Sequence, residues 1–130
     1  MKVKDKFISN YKISNEIYYG FIEIFRDSNK MHIHSATAKK YGFSEKIMHG
    51  NILNGFLSNF IGEKLPIKNI IIVDQNIKYK LPLYLDESLI FKAEVIHISK
   101  SIGVFEFKFI FLSEENQVKA NGSFKIRILI

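Results

Sequence analysis

The chain has 130 residues, of which 47% are hydrophobic and 25% charged, with a formal net charge of +6. That is enough for one domain with a real core, in the balance of an ordinary globular protein. The lack of cysteine excludes disulfides, thiolate-held metals and a cysteine nucleophile, and no apolar run approaches the ~20 residues that span a bilayer.

The opening residues MKVKDKFISN carry no apolar stretch of the signal-peptide kind, so a cytoplasmic protein is expected. Residues 3–13 read as a first strand. Ser14 is a good N-cap type, and Ile17, Phe21, Ile24 and Phe25 recur at helical spacing, which predicts an amphipathic helix over 15–25. A short helix over 35–40 follows, capped by Ser35 and ended by Gly42. From Gly50 to Lys64, Ile52, Leu53, Phe56, Leu57, Phe60 and Ile61 form a broad stripe for burial against a sheet, and Pro66 lies just beyond. Gly55, on or near that stripe, reads as a small residue that permits close packing. After Pro66 the period falls to two, and 69–81, 88–99, 102–113 and 117–129 read as strands. Phe105, Phe107, Phe109 and Phe111 make one wholly aromatic face that must be buried. Short turns at Lys100-Ser101 and Glu114-Glu115-Asn116 predict antiparallel hairpins. The residues alone thus predict an α+β domain over 1–130, one sheet packed on one helix.

Three of the four histidines fall between Phe25 and Asn51. Asp27 and His32, five residues apart, share no helix face, but from a bent loop they can point at one spot and polarise a single water. His49-Gly50 precedes the apolar helical pattern. A glycine there leaves backbone N–H groups open at the positive end of the helix dipole, a natural seat for a developing oxyanion. Two other readings exist. Asp27 can simply cap its own solvated loop. Asp27, His32 and His34, with His49 as a third imidazole, can be read as metal ligands, but loop histidines without a further ligand at helical or turn spacing are not the usual zinc pattern, so this is not preferred and no metal is expected. His97, within a strand pattern, reads as a satisfied structural residue.

Asp27, Asn29 and His32, then His49-Gly50, then Tyr79-Lys80-Leu81-Pro82-Leu83 resemble the MaoC-like, (R)-specific enoyl-CoA hydratase family. Its patterns are D-x-N-P-x-H, H-G-M at the start of the central helix, and F-x-x-P-V at a strand end. The likeness runs from about Ser14 to the C-terminus. Lys30 stands for the family's proline, His34 for its acidic residue and Asn51 for its methionine. The resemblance implies a single hot-dog domain, an antiparallel five-stranded sheet wrapped around a long central helix, assembled as a homodimer or higher even oligomer. It implies hydration of trans-2-enoyl thioesters to (R)-3-hydroxyacyl thioesters, or the reverse. Asp27 would orient and deprotonate the water, His32 would share that water, and the Gly50 N–H would hold the enolate-like charge. Asn29 would brace the loop, His49 would fix the glycine turn, and Ser58 would set a hydroxyl beside the acyl chain. No metal or redox cofactor is implied; coenzyme A or acyl carrier protein enters as part of the substrate. The lysine excess either solvates the surface or attracts such an anionic group. No basic run interleaves with aromatics, so nucleic acid is not an expected partner, nor is a membrane.

Two rivals remain on the same fold. A thioesterase would place its carboxylate on the central helix, yet residues 50–62 contain no acidic residue and Glu63 lies at the far end. A non-catalytic acyl-thioester binder is kept open by Lys30, His34 and Asn51.

Overall fold

The computed structural model describes residues 1–130. In chain order it forms β1 (Lys6–Lys12), α1 (Asn15–Phe25), α2 (Lys30–Ile33), α3 (Ser35–Lys40), α4 (Ile52–Asn59), β2 (Ile70–Tyr79), β3 (Ser88–Ser99), β4 (Val104–Ser113) and β5 (Val118–Ile128). One five-stranded sheet has the order β1-β3-β4-β5-β2, every neighbour antiparallel. It curls around α4, the arrangement the resemblance implies. No helix is long and apolar enough to cross a membrane.

Burial follows the sequence periods. Ile52, Leu53, Phe56 and Leu57 are the buried residues of α4, and Phe60 and Ile61 continue the stripe. They meet Phe91, Val95, Phe107, Phe109, Phe111, Phe124 and Ile126 from the inner face of the sheet. Phe107 stacks on Phe124 with ring centroids 4.6 Å apart, and Phe60 packs on Phe91 at 4.7 Å. Full burial of each such side chain contributes roughly 1.5–3 kcal/mol. The aromatic face of β4 is buried at three positions and only half-buried at Phe105. Tyr11 pins the β1 edge to α4, stacking on Phe56 at 4.7 Å and donating to Asn59 Oδ1 at 2.9 Å.

Four local expectations need correction. The central helix is α-helical only to Asn59, and Phe60–Lys64 forms a π turn. The wider turn matches the spacing of Phe60 and Leu65, both buried. His32 sits on a one-turn helix, α2, and not in a bent loop; four residues are too few to leave a period. That helix is capped by Asn29, whose Oδ1 accepts from the Met31 N–H at 3.0 Å. Ser35 does not cap α3, since His34 occupies the N-cap and no side chain bonds there. Gly55 is exposed and a Cβ added to it would meet nothing within 4 Å, so close packing does not require it.

The close approach lies instead at Gly122 in β5, where a Cβ would come 2.0 Å from the Asn76 carbonyl oxygen of β2. The obstacle is backbone, which cannot swing aside. Gly122→Ala is expected to lower the unfolding free energy by at least about 2 kcal/mol, read as a lower urea midpoint. An unchanged midpoint would mean that the β2–β5 pairing yields freely.

Candidate active site

α1 ends at Arg26, in the left-handed conformation at φ 60°, its N–H bonded to the Ile22 carbonyl. The chain therefore turns sharply and delivers Asp27 beside the start of α2. The Asp27 Oδ1 accepts from the Asn29 N–H at 3.2 Å, while Asn29 caps the helix that carries His32. Asn29 thus links the carboxylate to the helix that carries the imidazole by two short-range bonds.

The His32 ring is oriented from behind. Its Nδ1 lies 2.9 Å from the Ile47 carbonyl, an acceptor only, so Nδ1 carries a proton. In the neutral ring Nε2 then holds the lone pair. The backbone of α2 is fastened by the buried Tyr18, whose hydroxyl donates to the His32 carbonyl. His49 is 2% exposed and stacks against His32, ring centroids 4.1 Å apart, and against Phe21 at 4.8 Å. Its Nε2–H donates to the Asp27 carbonyl at 2.9 Å, and its Nδ1 is buried without a partner. His49 therefore ties the Asp27 loop to the turn that opens α4.

Ligand-capable atoms of Asp27, His32 and His49 all lie within 4.8 Å of one another. Such a trio offers three donors, since one nitrogen of each histidine is bonded to a carbonyl and the other is left free. His34, which the metal reading also uses, is exposed and outside the cluster.

Gly50 lies just before α4. The first helical bonds run from Ile52 to the His49 carbonyl and from Leu53 to the Gly50 carbonyl, at 3.1 and 3.0 Å. The N–H groups of Gly50 and Asn51 bond to nothing within the chain, as expected at a helix start. Gly50 does not have a positive φ. It is glycine because of a neighbour: a Cβ would come 2.8 Å from Cε1 and 3.0 Å from Cζ of Tyr79 at the end of β2.

Two clefts meet at this point. One, about 640 Å³, is mostly apolar and lies between α1 and α4, lined by Ile17, Phe21, Phe25, Asp27, Gly55 and Phe56 among others. The other, about 460 Å³, is lined by His32, Phe43, Gly50, Tyr79 and Lys80 among others. Asn51 borders both. Ser58 is exposed on α4 and lines neither cleft. The structure therefore brings together Asp27, Asn29, His32, His49 and Gly50, but not Ser58 or His34.

Sequence reasoning missed Tyr18, the placement of Tyr79 over Gly50 and a buried ion pair. Lys119 Nζ sits 2.9 Å from Glu87 Oε2, with side-chain exposures of 7% and 17%, and donates to the Pro82 carbonyl at 2.8 Å. This holds the 80–87 loop, whose Leu83 carbonyl accepts from the Met48 N–H at 2.8 Å, just ahead of His49 and Gly50.

A curled five-stranded sheet on one helix, with Asp27 and His32 brought together near the start of that helix, defines a hot-dog protein with a candidate site at the helix start. No family model matches the chain. It is 31% identical to the (R)-specific enoyl-CoA hydratase of Aeromonas caviae over 75 residues, 58% of this chain and 56% of that protein. The chain spans about half the length of the curated relatives it matches. An (R)-hydratase structure from A. caviae superposes with a TM-score of 0.90 at 20% identity, covering 99% of this chain and 98% of that one. A MaoC-like dehydratase from Rhodospirillum rubrum superposes at 0.80 with 17% identity, covering 100% and 96%. By fold the chain is a hot-dog protein, as the resemblance implied, and in sequence it is similar to (R)-specific enoyl-CoA hydratases.

Proposed function

We propose that the chain hydrates trans-2-enoyl thioesters to (R)-3-hydroxyacyl thioesters, or catalyses the reverse dehydration, without a metal. The observation that carries this reading is the convergence of Asp27 and His32, with His32 and Gly50, whose N–H is unbonded, lining one cleft. The likeness to (R)-specific enoyl-CoA hydratases supports it.

A water between the two side chains donates one hydrogen to the Asp27 carboxylate and one to His32 Nε2. Its oxygen then attacks C3 of the enoyl group as one proton passes to the pair. The electrons move onto the thioester oxygen, where the Gly50 N–H stabilises the enolate. The same proton is returned to C2, so water adds across the double bond with no net change at the pair. His49 and Asn29 do not react; they keep the carboxylate and imidazole in register. The apolar cleft along α4 takes the acyl chain, and the Tyr79–Lys80 cleft takes the thioester arm. Ser58 meets substrate only if a second copy closes over α4. The edge strand β2 offers one means of pairing: Ile71, Ile72 and Val73 are exposed along it, and such an edge is a template for another strand. A homodimer joined there is part of the proposal, as are a cytoplasmic location and a substrate carried on coenzyme A or acyl carrier protein.

Gly50→Val gives a local test. The Tyr79 ring it strikes is half-exposed and can turn outward. Turnover is expected to fall by about 10² to 10³, with melting temperature moving only a few degrees. A large melting-temperature drop at unchanged specific activity would remove Gly50 from the reaction. The overall test mixes the protein with enoyl-CoAs of increasing chain length and follows free thiol beside the enoyl absorbance. Loss of the enoyl band without thiol release supports the hydratase. Thiol release from saturated acyl-CoA would favour a thioesterase, and binding without any turnover a non-catalytic module.

A further inference from the structure

Tyr79 covers Gly50, and its hydroxyl is under-used. The only partner of that oxygen is Asn54 Nδ2, a long contact of 3.4 Å in which the phenol accepts. The same Nδ2 makes a shorter bond of 2.9 Å to Asn51 Oδ1, and Asn54 Oδ1 accepts from Gln75 Nε2 at 2.6 Å. The amides of Gln75, Asn54 and Asn51 thus hold one another in place and leave the phenol proton without an acceptor. Burial raises the Tyr79 pKa above its ordinary value, so the group stays a neutral donor at physiological pH. The donor lies on the wall of the cleft shared by His32, Gly50, Asn51 and Lys80. The carbon bearing the hydroxyl is 3.0 Å from where a Gly50 Cβ would stand, close to the free N–H.

We infer that the Tyr79 hydroxyl is a specificity-determining donor that binds the first amide carbonyl of a pantetheine-type thioester arm. The inference rests on the hydratase reading, because that reading places the thioester carbonyl at Gly50. From that carbonyl the arm runs through sulfur and two methylenes to an amide, a span of about 6 Å at ordinary bond lengths. An arm leaving Gly50 along this cleft passes Tyr79, and Lys80 lines the same cleft. Tyr79 acts on binding and takes no part in proton transfer.

Tyr79→Phe keeps the ring over Gly50 and removes only the donor. Loss of one neutral hydrogen bond raises KM about threefold to tenfold with kcat within twofold. The effect should appear with crotonyl-CoA and with the crotonyl thioester of N-acetylcysteamine, which keeps the first amide. It should vanish with S-propyl crotonothioate, which lacks it. Equal losses on all three thioesters, no loss on any, or a kcat drop would overturn the inference. Butyryl-CoA, which cannot be hydrated, gives a turnover-free version by calorimetry. A threefold to tenfold weaker Kd in Tyr79→Phe supports the amide contact even if wild-type protein hydrates nothing, and an unchanged Kd rejects it even if hydration is robust.

Discussion

Asp27→Asn is expected to lower hydration of enoyl-CoA by at least about 10³-fold while leaving the melting temperature within a degree or two. The size follows from removing the group that takes the proton, since positioned acid–base groups contribute roughly 10² to 10⁴, and from losing the charge that orients the water. The small stability effect follows from exposure. The Asp27 carboxylate accepts only the Asn29 N–H, and asparagine keeps an oxygen for that bond. The His49 contact is to the Asp27 backbone and survives the change. His32→Ala should lose turnover by a similar factor. Because both groups act on one water, the double variant should lose little more than either single one. Additive losses would show two separate jobs, and more than a tenth of wild-type turnover in Asp27→Asn would remove it as the base.

The second large effect is on stability. Lys119→Met leaves the Glu87 carboxylate buried without its cation and the Pro82 carbonyl without its donor. Breaking one side of a buried pair costs about 3–5 kcal/mol. The loss should be visible as an earlier transition in urea. Because the 80–87 loop supports Met48 through the Leu83 carbonyl, turnover of the folded fraction should fall as well. Adding Glu87→Gln to Lys119→Met should recover part of the stability, since an unpaired buried charge is the main cost. A loss under about 1 kcal/mol in the single variant would mean that water reaches the pair.

These two sites differ in how far they can be read from the chain. Asp27, His32, His49 and Gly50 are close in sequence, and local bonds bring them together, so their juxtaposition was legible. The strands were legible because the alternation after Pro66 is strong, and β3 matches its expected span at both ends. Lys119 was not legible. Alternation would put a lysine on the solvent face, but the register shifts between Phe111 and Leu112 leave Lys119 unpaired opposite β4. It is buried against a loop more than thirty residues earlier. Tyr79 over Gly50 is likewise a long-range contact, made only once β2 has joined the sheet. The sequence therefore offered open helix-start N–H groups as the reason for Gly50 and not the Tyr79 ring that stands where its Cβ would be. Ser58, which the resemblance put beside the acyl chain, lies exposed outside both clefts.

The most direct test of the proposed chemistry is the fate of crotonyl-CoA mixed with wild-type protein, with chiral analysis of the product. The account predicts loss of the enoyl absorbance, no free thiol, and 3-hydroxybutyryl-CoA of the (R) configuration, all abolished in Asp27→Asn. Free coenzyme A, an (S) product, or undiminished hydration by Asp27→Asn would contradict it.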